Sequence, residues 1–270
     1  MKHPIVSRDE WIAARQAHLT REKELTQLRD RVRAERRALP YFQVDKDYVF
    51  TGPRGDETLG DLFDGRSQLI VSHFMFGPDW SEGCPSCSYL SDHLDGSVVH
   101  LANRDVTLLA VSRAPLARRV TFKARMGWSF KWVSSEGSEF NRDYHVSFTP
   151  EEVAMGEVYY NYRSTSFPSE EAPGASVFLK YETGAIYHTY SCYGRGLDAL
   201  IGTYNFLDLV PEGGARRICP GPWHGYAITI ATKRSSRQAR TSSGWGRRRS
   251  TAELKSRKMG RVRGLEPPTP

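Results

Sequence analysis

LIVSHFMFGPDWSEGCPSCSYLSDHL, residues 69–94, carries in one stretch the signals that decide the fold. LIVSHFMF (69–76) is a continuous apolar run of strand length, suited to a sheet covered on both faces. GPDWSEG reads as a loop, and Cys84-Pro85-Ser86-Cys87 leads into SYLSDHLDGSVVHLANRD, which predicts a helix. VTLLAVS (106–112) predicts a second buried strand, followed by the basic segment RAPLARRVTFKARMGW, read as helical. Strand, cysteine-bearing loop, helix, strand is a βαβ order, which favours parallel strands.

Two of the four cysteines in 270 residues sit in this stretch, one helical turn apart. A chain this long, 39% hydrophobic, buries enough surface to fold without a disulfide framework, so stability does not call for the pair. Pro85 suits the first turn of a helix because the N–H it lacks is unpaired there anyway, and this places Cys84 at the helix start. The free N–H groups and the dipole at that end favour thiolate over thiol. Cys87, on the same face, is placed to attack a mixed disulfide formed at Cys84.

Outward from this core, Ser7-Arg8-Asp9-Glu10 is a capping box opening a charged amphipathic segment that Pro40 stops. Leu25, Leu28, Val32 and Leu39 form its apolar stripe, and a homodimer through this arm is one expectation. YFQVDKDYVF (41–50) alternates like one strand, and TGPRGDETLGDLFDGRS supplies turns around a short helix. Beyond the βαβ unit, Trp128, Phe130 and Trp132 alternate as on one face of a strand; they read either as core or as an apolar groove wall beside Cys84. ASVFLKYETGAIYHTYS predicts a hairpin and GLDALIGTYNFLDLV a closing helix. The expected architecture is an α/β, thioredoxin-like three-layer fold with a long N-terminal helical arm: arm 1–40, domain 41–212, and a tail 213–270.

Charge is distributed unevenly. Residues 1–210 hold 24 Lys+Arg against 28 Asp+Glu, a net of −4, whereas residues 211–270 hold 14 against 3, a net of +11. The basic segment has hardly an aliphatic residue, so it is expected to be disordered. No window approaches the roughly 18 apolar residues of a membrane span, and MKHPIVSRDEW lacks a signal-peptide core, so a cytoplasmic protein is expected. In a reducing cytosol, Cys-x-x-Cys points to catalysis or metal binding.

The motifs GPDWSEGCPSCS, RDVTLLAVSRAPL, RMGWSFKWVSSEGSEFN, HVSFT, GEVYYNY and HTYS…RGLD, spread over residues 6–211, resemble an uncharacterised bacterial family with a thioredoxin-like domain. That family is commonly labelled as predicted dithiol-disulfide oxidoreductases. The resemblance implies catalytic Cys84 and Cys87, a protein or small-molecule thiol or disulfide as substrate, an external reductant and no cofactor. Gly83 replaces the Trp that precedes the first cysteine in thioredoxins, the nearest being Trp80. Pro173, in EAPGASVFLK, is the one plausible equivalent of the thioredoxin proline that faces the disulfide, and its spacing to the strand departs from theirs. Trp80, Trp128 and Pro173 are therefore the candidate substrate groove. Pro-Ser is nearer to the glutaredoxin dipeptide, which implies roughly −200 to −230 mV.

The same resemblance gives the tail a different origin. Codons for PGPWHGYAITI (220–230), read in another frame, give Gly-Pro-Met-Ala-Trp-Val-Arg-His-His-Asp, which looks like the family's usual ending. Residues from about Gly213 are thus expected to be out of frame, and a nucleic-acid-binding arm is not expected. Cys219 then has no role, and Cys192 reads as a single packed or partly exposed thiol.

Three other readings compete with thiol exchange. A structural metal would need ligands besides the pair, with His73, His93 and His100 as the candidates. A peroxiredoxin-like peroxidase would need an Arg partner, Arg113 or Arg119. A redox-inert binding module would merely pack the thiols. A proton acceptor for Cys87 could be His73, Asp79, Glu82 or Asp92.

Overall fold

The computed structural model describes residues 3–211. The tail reading therefore lies outside the described residues.

Ser7 caps α1 (Arg8–Arg37) with the expected box: its hydroxyl accepts from the Glu10 N–H while Glu10 accepts from the Ser7 N–H. The helix buries none of its residues. The chain then contributes to both edges of one sheet. β1 (Phe42–Gln43) and β2 (Val49–Gly52) are separate strands, where the alternation predicted one. Asp45-Lys46-Asp47 breaks the run, Val44 packs on the core, and Lys46 and Tyr48 both donate to Asp143 at 2.7 Å. β3 (Gly55–Thr58) completes a hairpin with β2.

The βαβ core forms as expected. β4 (Gln68–His73) is followed by α2 (Pro85–Asp95), α3 (Val98–Ala102), β5 (Val106–Ser112), α4 (Leu116–Met126) and β6 (Lys131–Ser134). The helix predicted as one after the cysteines is broken at Gly96 and Ser97. Two short helices follow, α5 (Phe140–Asp143) and α6 (Pro150–Met155), then the hairpin β7 (Val158–Tyr160) and β8 (Arg163–Thr165). The predicted hairpin appears as β9 (Gly174–Lys180) and β10 (Ile186–Tyr193). The closing segment is a 3-10 turn (Gly194–Leu200) and α7 (Gly202–Leu207), parted at Ile201.

The eight-stranded sheet runs β1-β10-β9-β4-β5-β6-β2-β3. β4, β5 and β6 are parallel, and β9 is antiparallel to β4, as is β10 to β9. Three parallel strands flanked by an antiparallel hairpin, with a cysteine-led helix after the first of them, is the thioredoxin-like arrangement. Leu69, Val71, Leu109, Val111 and Val133 pack with Phe50, Phe140 and Phe178 in one cluster. Phe74, Phe76, Phe122, Trp128 and Trp132 form another, which contains both cysteines of the motif. No helix among the described residues is long and apolar enough to cross a membrane.

Candidate functional site

Cys84 occupies the N-cap of α2 and Pro85 its first turn, as the sequence implied. The Cys84 N–H donates to the Met75 carbonyl at 3.0 Å, tying the helix start to the end of β4. Gly83 is dictated by packing: a Cβ there would come within 2.6 Å of the Phe74 ring. This is why the tryptophan of the thioredoxin pattern has no place at that position. Trp80 lies instead with its indole against Gly77, half-buried on the cysteine cluster. α4 holds the loop from the side, with Arg118 donating to the carbonyls of Pro78 and Trp80 and Arg125 pairing with Glu82 at 2.9 Å.

Both thiols are free and 4% exposed. Their environments split them. The hydrogen bond from Cys87, with the N–H groups of Cys87 and Ser86, holds Cys84 below its ordinary value against the opposing effect of burial. Cys87, donating to Cys84 and buried, is pushed well above its own, and the Glu171 charge adds to that.

Sequence reading missed Glu171. Only 1% exposed, it accepts from Arg113 Nε at 2.6 Å and from Ser147 Oγ at 3.0 Å. Burial raises its pKa while Arg113 opposes the rise. Two residues on, Pro173 immediately precedes β9, and its peptide bond is trans, like every other among the described residues. Its carbonyl accepts from Tyr160 Oη at 2.7 Å.

None of the acceptor candidates read from the sequence is the carboxylate whose charge bears on Cys87, which is that of Glu171. Asp92 accepts from the Trp128 indole at 2.9 Å, Glu82 is bound to Arg125, Asp79 is exposed, and His73 is bonded to Ser176 at 2.8 Å. Arg119 is likewise no partner for a cysteine: buried, it donates to the carbonyls of Ala114, Trp132 and Thr51. Arg113 is the arginine that reaches the site. Trp128, 7% exposed, is part of the interior cluster under the thiols. Among the described residues no group of three or more His, Cys, Asp or Glu side chains could hold a metal.

Strand order and a dithiol capping the first core helix define a thioredoxin-like protein. The chain belongs to the family described as "Bacterial protein of unknown function (DUF899)", matched over residues 1–241. Comparison with curated proteins gives no match. Among solved structures, the peroxidoxin BcpB of Mycobacterium tuberculosis is similar at 10% identity, covering 61% of this chain and 95% of its own, with a TM-score of 0.41. The bacterioferritin comigratory protein of Xanthomonas campestris matches at 14% identity over 57% and 88%, with a TM-score of 0.37. A Chlorobium tepidum protein described as a thiol:disulfide interchange protein DsbE matches at 14% over 60% and 93%, with a TM-score of 0.36. At these values the assignment of the fold rests on the strand order, and the likenesses carry no chemistry.

Proposed function

We propose that the protein is a dithiol-disulfide oxidoreductase acting through Cys84 and Cys87. The observation that carries this reading is the opposed state of the two thiols at the start of α2, Cys84 toward thiolate and Cys87 toward thiol. Cys84 attacks a substrate disulfide, forming a mixed disulfide and expelling one substrate thiolate. Cys87 then loses its proton and attacks Cys84 Sγ. The second substrate thiol leaves, the protein holds a Cys84–Cys87 disulfide, and two electrons have passed to the substrate. An external thiol reductant restores the dithiol.

Glu171 is the assigned acceptor of the Cys87 proton. Burial raises its pKa while the Arg113 guanidinium opposes the rise, which makes it a stronger base than an exposed glutamate. Trp80 and Pro173, both part-exposed, flank the position of the substrate, and Trp128 backs the thiols from below.

A redox titration of the purified chain in glutathione buffers, with alkylation and mass analysis of the peptide bearing both cysteines, tests the reading. A reversible two-electron transition at roughly −200 to −230 mV is expected. A pair that stays reduced across the range would overturn it.

A further inference from the structure

A cavity of about 620 Å³ opens beside β10, within the range of small-molecule pockets. Its walls are rings: Phe42, Tyr162, His188, Tyr190 and Tyr193. Neither Cys84 nor Cys87 lines it, and behind Tyr193 the Tyr160 hydroxyl donates to the Pro173 carbonyl and accepts the Gly194 N–H at 3.0 Å.

Two backbone irregularities shape this cavity. The β7–β8 hairpin turns on Asn161 and Tyr162, with φ of 53° and 64°. Such a two-residue turn favours Asn-Gly, and a bulky residue at positive φ is an outlier. Tyr162 is held there with 62% of its surface exposed, its hydroxyl on the Ser191 carbonyl at 2.9 Å and its ring edge-on to Tyr193 at 5.6 Å. The fold gains little burial from this ring, so the strain serves the cavity it borders. The second irregularity is a register shift between His188 and Tyr190, which re-aims both side chains.

The charge is one-sided. Among the described residues lining the cavity the only charged one is Arg195, whose exterior pair with Asp198, at 3.2 Å, is exposed and cheap to exchange. The Arg36 guanidinium lies over the Tyr190 ring at 4.6 Å. We propose that this cavity binds a flat aromatic small molecule bearing a carboxylate, its rings laid against Tyr162 and Tyr190 and its acid group on Arg195. The site is separate from the dithiol and its existence does not depend on the oxidoreductase reading.

Calorimetric titration of the full chain with 2-naphthoate, and with 2-naphthylmethanol as the uncharged counterpart, tests it. Naphthoate is expected to bind saturably at one site and to slow alkylation of Cys192, which lines the cavity, while leaving labelling of Cys84 unchanged. Arg195→Gln should weaken naphthoate about two- to fivefold and the alcohol hardly at all. Tyr162→Gly removes the ring but suits the turn, so it should abolish binding of both without lowering the melting temperature. Absence of saturable binding, equal affinity for acid and alcohol, or protection of Cys84 in place of Cys192 would overturn the proposal. Because the redox midpoint of Cys84 and Cys87 is read separately, failure here and failure of the oxidoreductase reading are distinguishable.

Discussion

Arg113 Nε donates to Glu171 Oε1 at 2.6 Å, and the carboxylate so held is the charge set against the Cys87 thiol. The pair joins the end of β5 to the loop before β9, so the proton acceptor and the proline enter the site on one short segment. Glu171→Gln should slow resolution of the mixed disulfide by about 10- to 100-fold at pH 7. In wild type the resolving rate should climb with pH through the raised Glu171 pKa; in the variant that limb should move up toward the titration of Cys87. Arg113→Gln removes a cation that lowers the Glu171 pKa, so its limb should move to higher pH than in wild type. Single-turnover rates across pH 5 to 9 check both shifts, and coincident profiles would exclude Glu171 as the acceptor.

The two cysteines should behave asymmetrically. Cys87→Ser keeps the nucleophile and removes the resolving thiol, so a mixed disulfide at Cys84 should accumulate with a model disulfide substrate. Cys84→Ser should trap nothing, because the remaining thiol is only 4% exposed and its burial favours the protonated form. Mass spectrometry after an acid quench reads both outcomes.

How far the sequence anticipates this site follows from the range of the forces involved. The α2 start is legible because proline, cysteine spacing and the preceding apolar run act within about twenty residues. The β9–β10 hairpin is legible for the same reason. Glu171 is not: Glu170 and Glu171 are adjacent and chemically alike, and only packing decides that one is exposed and the other is 1% exposed beside Arg113. The split of residues 41–50 into β1 and β2 is equally non-local, since their partners, β10 and β6, lie at different places in the sheet. Gly83 could have been read only with Phe74 already in place.

Trp128 illustrates how burial decides between two readings of one residue. Its ring packs on Phe74, Phe122 and Trp132, and its indole N–H is spent on Asp92. Trp128→Ala should therefore cost about 3 to 5 kcal/mol of stability. Urea denaturation measures the loss; turnover falling with an unchanged midpoint would restore the residue to a groove wall.

The arm gives a prediction about assembly. α1 buries none of its residues, and Leu25, Leu28 and Val32 are all more than 40% exposed. If the arm pairs two copies as the sequence suggested, sedimentation equilibrium should report a dimer, and Leu28→Glu with Val32→Glu should convert it to monomer with the domain's melting temperature unchanged. A monomer in both cases would dismiss the pairing.

His188 Nε2, Ser191 Oγ, Ser176 Oγ and His73 Nε2 form a chain with links of 2.7, 2.7 and 2.8 Å across β10, β9 and β4. Two hydroxyl protons cannot supply three donors, so one imidazole must present an Nε2–H to the chain. A proton added to the accepting ring would put a fourth donor on three links, and burial disfavours charge on both rings: the pKa of His73 is pushed down to about 3 and that of His188 to about 4. In the unfolded chain both titrate near their ordinary value of 6.5. The unfolded state therefore binds more protons below that point, and stability must fall as pH drops from about 6.5 toward 4. For His73 each pH unit removes about 1.4 kcal/mol; His188, part-exposed, removes less. Urea midpoints at pH 7, 6, 5 and 4.5 should decline progressively, and His188→Gln, which keeps a polar partner for Ser191 but does not titrate, should flatten the slope. A wild-type profile level between pH 6.5 and 5 would mean that neither ring stays neutral in the folded protein.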